Sequence, residues 1–237
     1  MLQLKTVAVI GNGIMGHGIA EVFAAAGFDA ILVGRTEESL QRGLSKMQAS
    51  LQEFAGHKLL KYTPQEVMQR VHTTTDLDAA AEAELVIEAV PENMPLKLSI
   101  FERLDRVCRP EAVLASTSGH PASELTINVT NKERVIAAHF WYPPQLLPLV
   151  EVCGAPETTA ETIEWTCGRL REAGKEPVVI DREIPGFGVF LFDLRLDFLA
   201  QGTDGSTTLD LRGLVESGFD AIAGYFVGDF EEFILHF

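Results

Sequence analysis

The segment RVIAAHFWYPP, residues 134–144, carries His139 at the end of an apolar run, and Glu151 follows twelve residues later inside a second apolar run, LVEVC. These residue types suit the oxidation of an alcohol. Taking a hydride from an alcohol carbon leaves a hydroxyl proton that needs an acceptor near neutral pH, where imidazole titrates. A carboxylate on the other ring nitrogen fixes the tautomer and stabilises the imidazolium. Two adjacent strands would let His139 and Glu151 meet across a sheet. The plainer alternatives are a core histidine with a satisfied ring and an edge glutamate pointing to water.

A second chemistry lies near the start of the chain. VAVIGNGIMGHGIA sets Gly11, Gly13 and Gly16 after a strand-like apolar run and before a helical pattern. In a dinucleotide site Gly11 permits the tight turn, Gly13 lets the backbone approach the pyrophosphate, and Gly16 allows close packing of helix on strand. Ile14 and Met15 then open the helix, whose N-terminus faces the negative charge. A glycine-rich turn without a ligand is the competing reading. The next apolar run ends ILVGRT, with Gly34 where an acid would hold the ribose hydroxyls of NAD. Arg35 and Thr36 come next. Either the arginine accepts the 2′-phosphate of NADP, or it is solvated and Thr36 caps the following helix.

These residues need a scaffold that gathers strand ends. TVAVI (6–10), AILV (30–33), LVIEAV (85–90), AVLAS (112–116) and RVIAAHF (134–140) are nearly continuous apolar runs, as in parallel strands covered on both faces. Between them Leu40, Leu44, Met47, Leu51 and Phe54 recur every three or four residues, and Ile100, Leu104 and Val107 do so after Pro95. Alternating strand and helix predicts an α/β, doubly wound, mostly parallel sheet. LVEVC (149–153) and PVVI (177–180) flank a helical stretch over 158–173 and predict a mixed extension. Pro185-Gly186 marks an expected boundary between a cofactor domain, residues 1–185, and a short, mainly helical C-terminal segment, residues 186–237.

Composition narrows the partners. The 237 residues are 46% hydrophobic, enough for a substantial core, and the formal charge of −15 argues against a nucleic-acid partner. No apolar run approaches a bilayer span. Cys108, Cys153 and Cys167 are widely spaced and lack metal-ligand spacing, which fits a reduced, cytoplasmic protein with no metal. The N-terminus runs straight into a strand without the sections of a signal peptide.

Four segments then stand in a telling order: GNGIMGHGIA, EAVPENMPLKLSIFERLD, AAHFWYPPQLLPLVEV and GKEPVVIDREIPGF. With them the chain resembles the 3-hydroxyacyl-CoA dehydrogenase family from residue 5 to about 188. PPQLLPLVEV also looks like the branch that oxidises small hydroxy acids such as gulonate, which includes the lens lambda-crystallins. The resemblance implies a Rossmann domain, a nicotinamide cofactor, a small-molecule substrate oxidised from alcohol to ketone, and a role in fatty-acid metabolism. It implies that His139 is the base, Glu151 its partner and Ser118 a contact to the substrate oxygen, with STSGH standing where the family has SNTSS. Glu88 and Lys97 match the family's segment beside the nicotinamide. Read from the residues alone, Ser118 serves equally as a turn-forming hydroxyl and Lys97 as a helix-surface lysine. Glu88, at the end of a buried strand, needs a function or an ion pair.

The chain also departs from the family pattern. Tyr142 and Phe190 stand where the family carries asparagines, and Leu191 where it carries arginine. Only 51 residues follow Gly186, fewer than in the family's helical second domain, which supplies a homodimer interface and part of the acyl pocket. Three readings follow. One is an NAD(P)-dependent 3-hydroxyacyl-CoA dehydrogenase, with Lys58 and Lys61 available for CoA phosphates. Another is a dehydrogenase of a small free hydroxy acid. The last is a cofactor-binding protein with little turnover.

Overall fold

The computed structural model describes residues 5–183. The expected boundary at 185, the segment 186–237, Phe190 and Leu191 lie outside the described residues. Within them the chain alternates strand and helix into one eight-stranded sheet of order β3-β2-β1-β4-β5-β6-β7-β8. β1 (Thr6–Ile10), β2 (Asp29–Val33), β3 (Val71–Thr74), β4 (Leu85–Glu88), β5 (Val113–Ser116) and β6 (Val135–Phe140) are mutually parallel. β7 (Leu149–Gly154) turns back antiparallel to β6, and β8 (Glu176–Val179) runs parallel to β7. The doubly wound, mostly parallel sheet with a mixed extension is as the apolar runs predict. β3 is an addition: VHTT has one apolar residue and sits at the sheet edge, so no apolar run announces it.

Side chains alternate between the two faces of each strand, and the core divides accordingly. Val7, Val9, Leu32, Leu85, Ile87, Ile136 and Val152 pack with α1 (Ile14–Ala26), α2 (Glu37–Gly56) and α6 (Ala160–Glu172). Ala8, Ile10, Ile31, Val33, Val86, Leu114 and Val135 pack on the other face with α4 (Met94–Val107) and the short α5 (Ala122–Leu125). A brief α3 (Pro64–Met68) precedes β3. By the same parity Glu88, Ser116 and His139 point to the α4 side, with Glu151 the cross-strand partner of His139. The register aligns Ile10 with Glu88, Glu88 with Ser116 and Ser116 with Ala137, so four parallel strands end side by side. That common carboxyl edge is where open α/β sheets place ligands.

Glu21 of α1 links three segments. It is buried, accepts a hydrogen bond from Ser50 of α2 at 2.6 Å, and meets Gln145, after β6, at 3.4 Å. Burial pushes its carboxyl from 4.5 up to about 7, against the downward pull of those two partners. The folded protein therefore holds a proton that the unfolded chain releases, so this group's contribution to stability falls as pH rises from about 4.5 to 7. Glu21→Gln should flatten that decline and raise the melting temperature at pH 8 relative to wild type. Melting followed by circular dichroism from pH 5 to pH 8 checks this. Superimposable pH profiles for the two proteins would rule it out.

Candidate active site

The glycine loop is shaped by backbone approach. Gly11 has φ +105°, and a Cβ there would lie 2.6 Å from the carbonyl oxygen of Ala89 on the neighbouring crossover. A Cβ on Gly16 would lie 1.7 Å from the Gly11 carbonyl oxygen, so α1 can start only where residue 16 has no side chain. Gly13 differs, with nothing within 4 Å of its would-be Cβ, and it forms the N-cap of α1 without a side-chain cap. The first turn of α1 carries no acid, and its N–H groups keep their partial positive charge. Ile14 is exposed and Met15 half-buried. His17, buried in the next turn, donates from Nδ1 to the Gly13 carbonyl at 2.6 Å. Burial holds its pKa below the ordinary value, Gly13 opposes that shift, and Lys46 adds to it.

A cavity of about 260 Å³ opens beside this loop, lined by Asn12, Gly13, Ile14, Ser39, Arg42, Gly43 and Lys46. Gly34, at the end of β2, is packed shut, since a Cβ there would meet Leu40 Cδ2 at 2.6 Å and Asn12 Cγ at 3.0 Å. Arg35 is exposed and does not line the cavity. Thr36 caps α2 by accepting from the Ser39 amide, as its plainer reading had it. The cavity cations Arg42 and Lys46 were missed in the sequence because a charged helix face reads simply as solvated.

At the other end of the carboxyl edge, His139 and Glu151 are directly opposed in the antiparallel β6–β7 pair. Their Nδ1 and Oε2 atoms lie 2.9 Å apart. A carboxylate can only accept here, so Nδ1 carries the hydrogen and Nε2 holds the lone pair of the neutral ring. Glu151 is fully buried, whereas the His139 side chain is 21% exposed and lies edge-on to Trp141.

Glu88 and Lys97 occupy the middle of the edge. Both are buried, with Lys97 Nζ 2.9 and 3.1 Å from the two Glu88 carboxylate oxygens. Ser116 Oγ donates to the same carboxylate at 2.6 Å, and so does the Val90 amide at 2.7 Å. Lys97 is thus a buried lysine, and Glu88 has the ion pair that its place at the end of a buried strand requires. The outward carboxylate is Glu92, which accepts from Ser118 Oγ at 2.7 Å and lies 3.4 Å from His120 Nε2. Ser118 also accepts the His120 amide at 3.1 Å, so it is a turn-forming hydroxyl as well as a residue of this edge. The sequence flagged neither Glu92 nor His120.

Lys58 and Lys61 stand elsewhere. They follow the C-terminus of α2, a helix of 20 residues and so about 30 Å long, whose N-terminus is at the carboxyl edge. Tyr62 packs on Gly27 at the far end of α1. The two lysines therefore lie about one helix length from the carboxyl edge.

Residues 6–184 match the model of the 3-hydroxyacyl-CoA dehydrogenase, NAD binding domain. The chain belongs to this family. It is 37% identical over 189 residues to 3-hydroxyadipyl-CoA dehydrogenase of Escherichia coli, covering 79% of this chain and 40% of that one. It is likewise 37% identical over 180 residues to a probable 3-hydroxybutyryl-CoA dehydrogenase of Deinococcus radiodurans, covering 76% and 64%. The crystal structure of 3-hydroxybutyryl-CoA dehydrogenase from Escherichia coli superposes with a TM-score of 0.74 at 36% identity, over 78% of this chain and 40% of that chain. The chain therefore spans between about two fifths and two thirds of the length of these relatives. The fold is Rossmann-type, and the cofactor of the domain is NAD. The residues fit it, with the glycine-lined approach at Gly13 and the uncapped α1 N-terminus placed to receive a pyrophosphate. Among the described residues no helix is long and apolar enough to cross a membrane.

The two glycines separate binding from folding. Gly13→Val should fold normally and lose NAD binding, because its side chain would enter the space meant for the ligand. Gly16→Val should destabilise the protein severely, since its Cβ would strike the Gly11 carbonyl. Thermal melting and NAD titration by tryptophan fluorescence distinguish them. Unchanged NAD affinity in Gly13→Val would contradict this account of the loop.

Proposed function

We propose that this chain oxidises the 3-hydroxyl carbon of a 3-hydroxyacyl-CoA, with NAD as the acceptor. The observation that carries the reading is the 2.9 Å contact between His139 and buried Glu151 on the edge that also holds the glycine loop. NAD, when bound, supplies a nicotinamide that accepts the hydride. Gly11, Gly13 and the start of α1 would hold its pyrophosphate, and Ile14 and Met15 would flank it. His139 takes the hydroxyl proton at Nε2, because Glu151 keeps the other nitrogen protonated. The Glu151 carboxylate stabilises the imidazolium as it forms and needs no proton of its own. Ser118, whose hydroxyl donates to Glu92 in this structure, would turn that hydrogen from Glu92 to the substrate oxygen. The Glu88–Lys97 pair positions the edge and takes no part in proton transfer. A homodimer and a cytoplasmic location accompany this reading.

A second reading, a small free hydroxy acid as substrate, is favoured by the proline-rich PPQLLP segment that follows His139. Turnover on acetoacetyl-CoA against turnover on free 3-hydroxy acids decides between them. Absence of both, with NAD still bound, identifies a cofactor-binding protein and rejects the enzyme.

His139→Gln should retain the fold and NAD affinity while lowering kcat by ~10²–10⁴-fold, the usual contribution of an acid–base group. Glu151→Gln should lower it in the same direction, and the double variant should lose far less than the product of the two losses. A fall in melting temperature with specific activity intact would make His139 a core histidine and remove the mechanism.

A further inference from the structure

The cavity beside the glycine loop differs from an ordinary NAD ribose site in charge. An NAD site commonly ends its second strand on an acid that accepts from the ribose hydroxyls. Here that position is Gly34, where any Cβ would press on fully buried Leu40. None of the seven residues lining the cavity is acidic, and two of them, Arg42 and Lys46, are cations. They stand four residues apart and so project from one side of α2. Between them Gly43 brings α2 close to the loop, its would-be Cβ 3.6 Å from His17 and 3.8 Å from the Asn12 carbonyl oxygen.

We propose that this cavity receives the 2′-phosphate of a phosphorylated dinucleotide, with Arg42 and Lys46 as its two cationic contacts, so that the chain binds NADP as well as NAD. The inference rests on the reading of the glycine loop as a dinucleotide site. Ser39 and Asn12 complete the polar wall, Ser39 Oγ donating to Asn12 Oδ1 at 3.4 Å. The first turn of α2 carries the acids Glu37 and Glu38. Glu38 holds Arg42 at 2.6 Å, but the two side chains are 86% and 63% exposed, and such a pair yields readily to a phosphate. Lys46 also helps to hold the His17 pKa below its ordinary value, after burial, as expected of a cation near the loop. Arg35, the arginine nearest in sequence to the missing acid, faces solvent outside the cavity.

The test is calorimetric titration of the whole chain with 5′-AMP, 2′,5′-ADP, NAD and NADP. Wild type should bind 2′,5′-ADP at least tenfold more tightly than 5′-AMP, with the advantage shrinking as salt rises. Arg42→Ala and Lys46→Ala should each weaken 2′,5′-ADP and NADP about tenfold and leave 5′-AMP and NAD within a factor of two. Arg35→Ala should change neither. Equal affinity of wild type for 5′-AMP and 2′,5′-ADP overturns the proposal while leaving the dinucleotide reading standing. A selective loss in Arg35→Ala alone also overturns it. If none of the four ligands binds, the dinucleotide reading itself has failed.

Discussion

Glu88 and Lys97 are both withdrawn from water, and each is the other's nearest charged partner, with Glu92 at 3.6 Å from Lys97. An isolated buried charge costs several kcal/mol, and removing one partner of such a pair typically destabilises by about 3–5 kcal/mol. Here the attraction is supplemented by donors from Ser116 and the Val90 amide to the Glu88 carboxylate. The arrangement ties the end of β4 to α4 and β5, and β4 sits between β1 and β5 in the register. Fixing β4 also fixes Ala89, whose carbonyl limits Gly11, and Glu92, which holds Ser118. The glycine loop and the Ser118 turn therefore share one buried anchor. A hydrophobic pair could fill the same volume but could not offer the acceptors that Ser116 and Val90 require.

Much of this architecture was legible because parallel strands buried on both faces carry their signal in uninterrupted apolar runs. TVAVI, AILV and RVIAAHF coincide with β1, β2 and β6 to within a residue. β3 was not legible, since an edge strand with threonines and a half-exposed face lacks that signal. His139 and Glu151 could be paired in advance, because a twelve-residue separation between two apolar runs suits an antiparallel turn-back. Arg42 and Lys46 could not, because only the packing of Gly43 on the loop distinguishes their part of the α2 surface from the rest. Glu88 was legible as a buried strand-end acid in need of an ion pair, but its partner was not, since Lys97 on a helix reads equally as a surface lysine.

His17 and His139 show how one residue type takes different roles from its hydrogen-bond partner. Both donate from Nδ1, His17 to the Gly13 carbonyl and His139 to the Glu151 carboxylate. A neutral carbonyl gains less than a carboxylate when the ring becomes charged. Burial and the nearby Lys46 then keep His17 below its ordinary pKa, so it serves as a neutral strut beneath the loop. A carboxylate interacts far more strongly with an imidazolium than with a neutral ring, so His139 has a partner whose attraction grows as it takes a proton. The difference begins with topology. α1 offers only its own backbone one turn earlier, whereas the β6–β7 turn-back brings a distant glutamate into direct register. The antiparallel strand appended to an otherwise parallel sheet is therefore what gives a strand-end histidine its buried carboxylate partner.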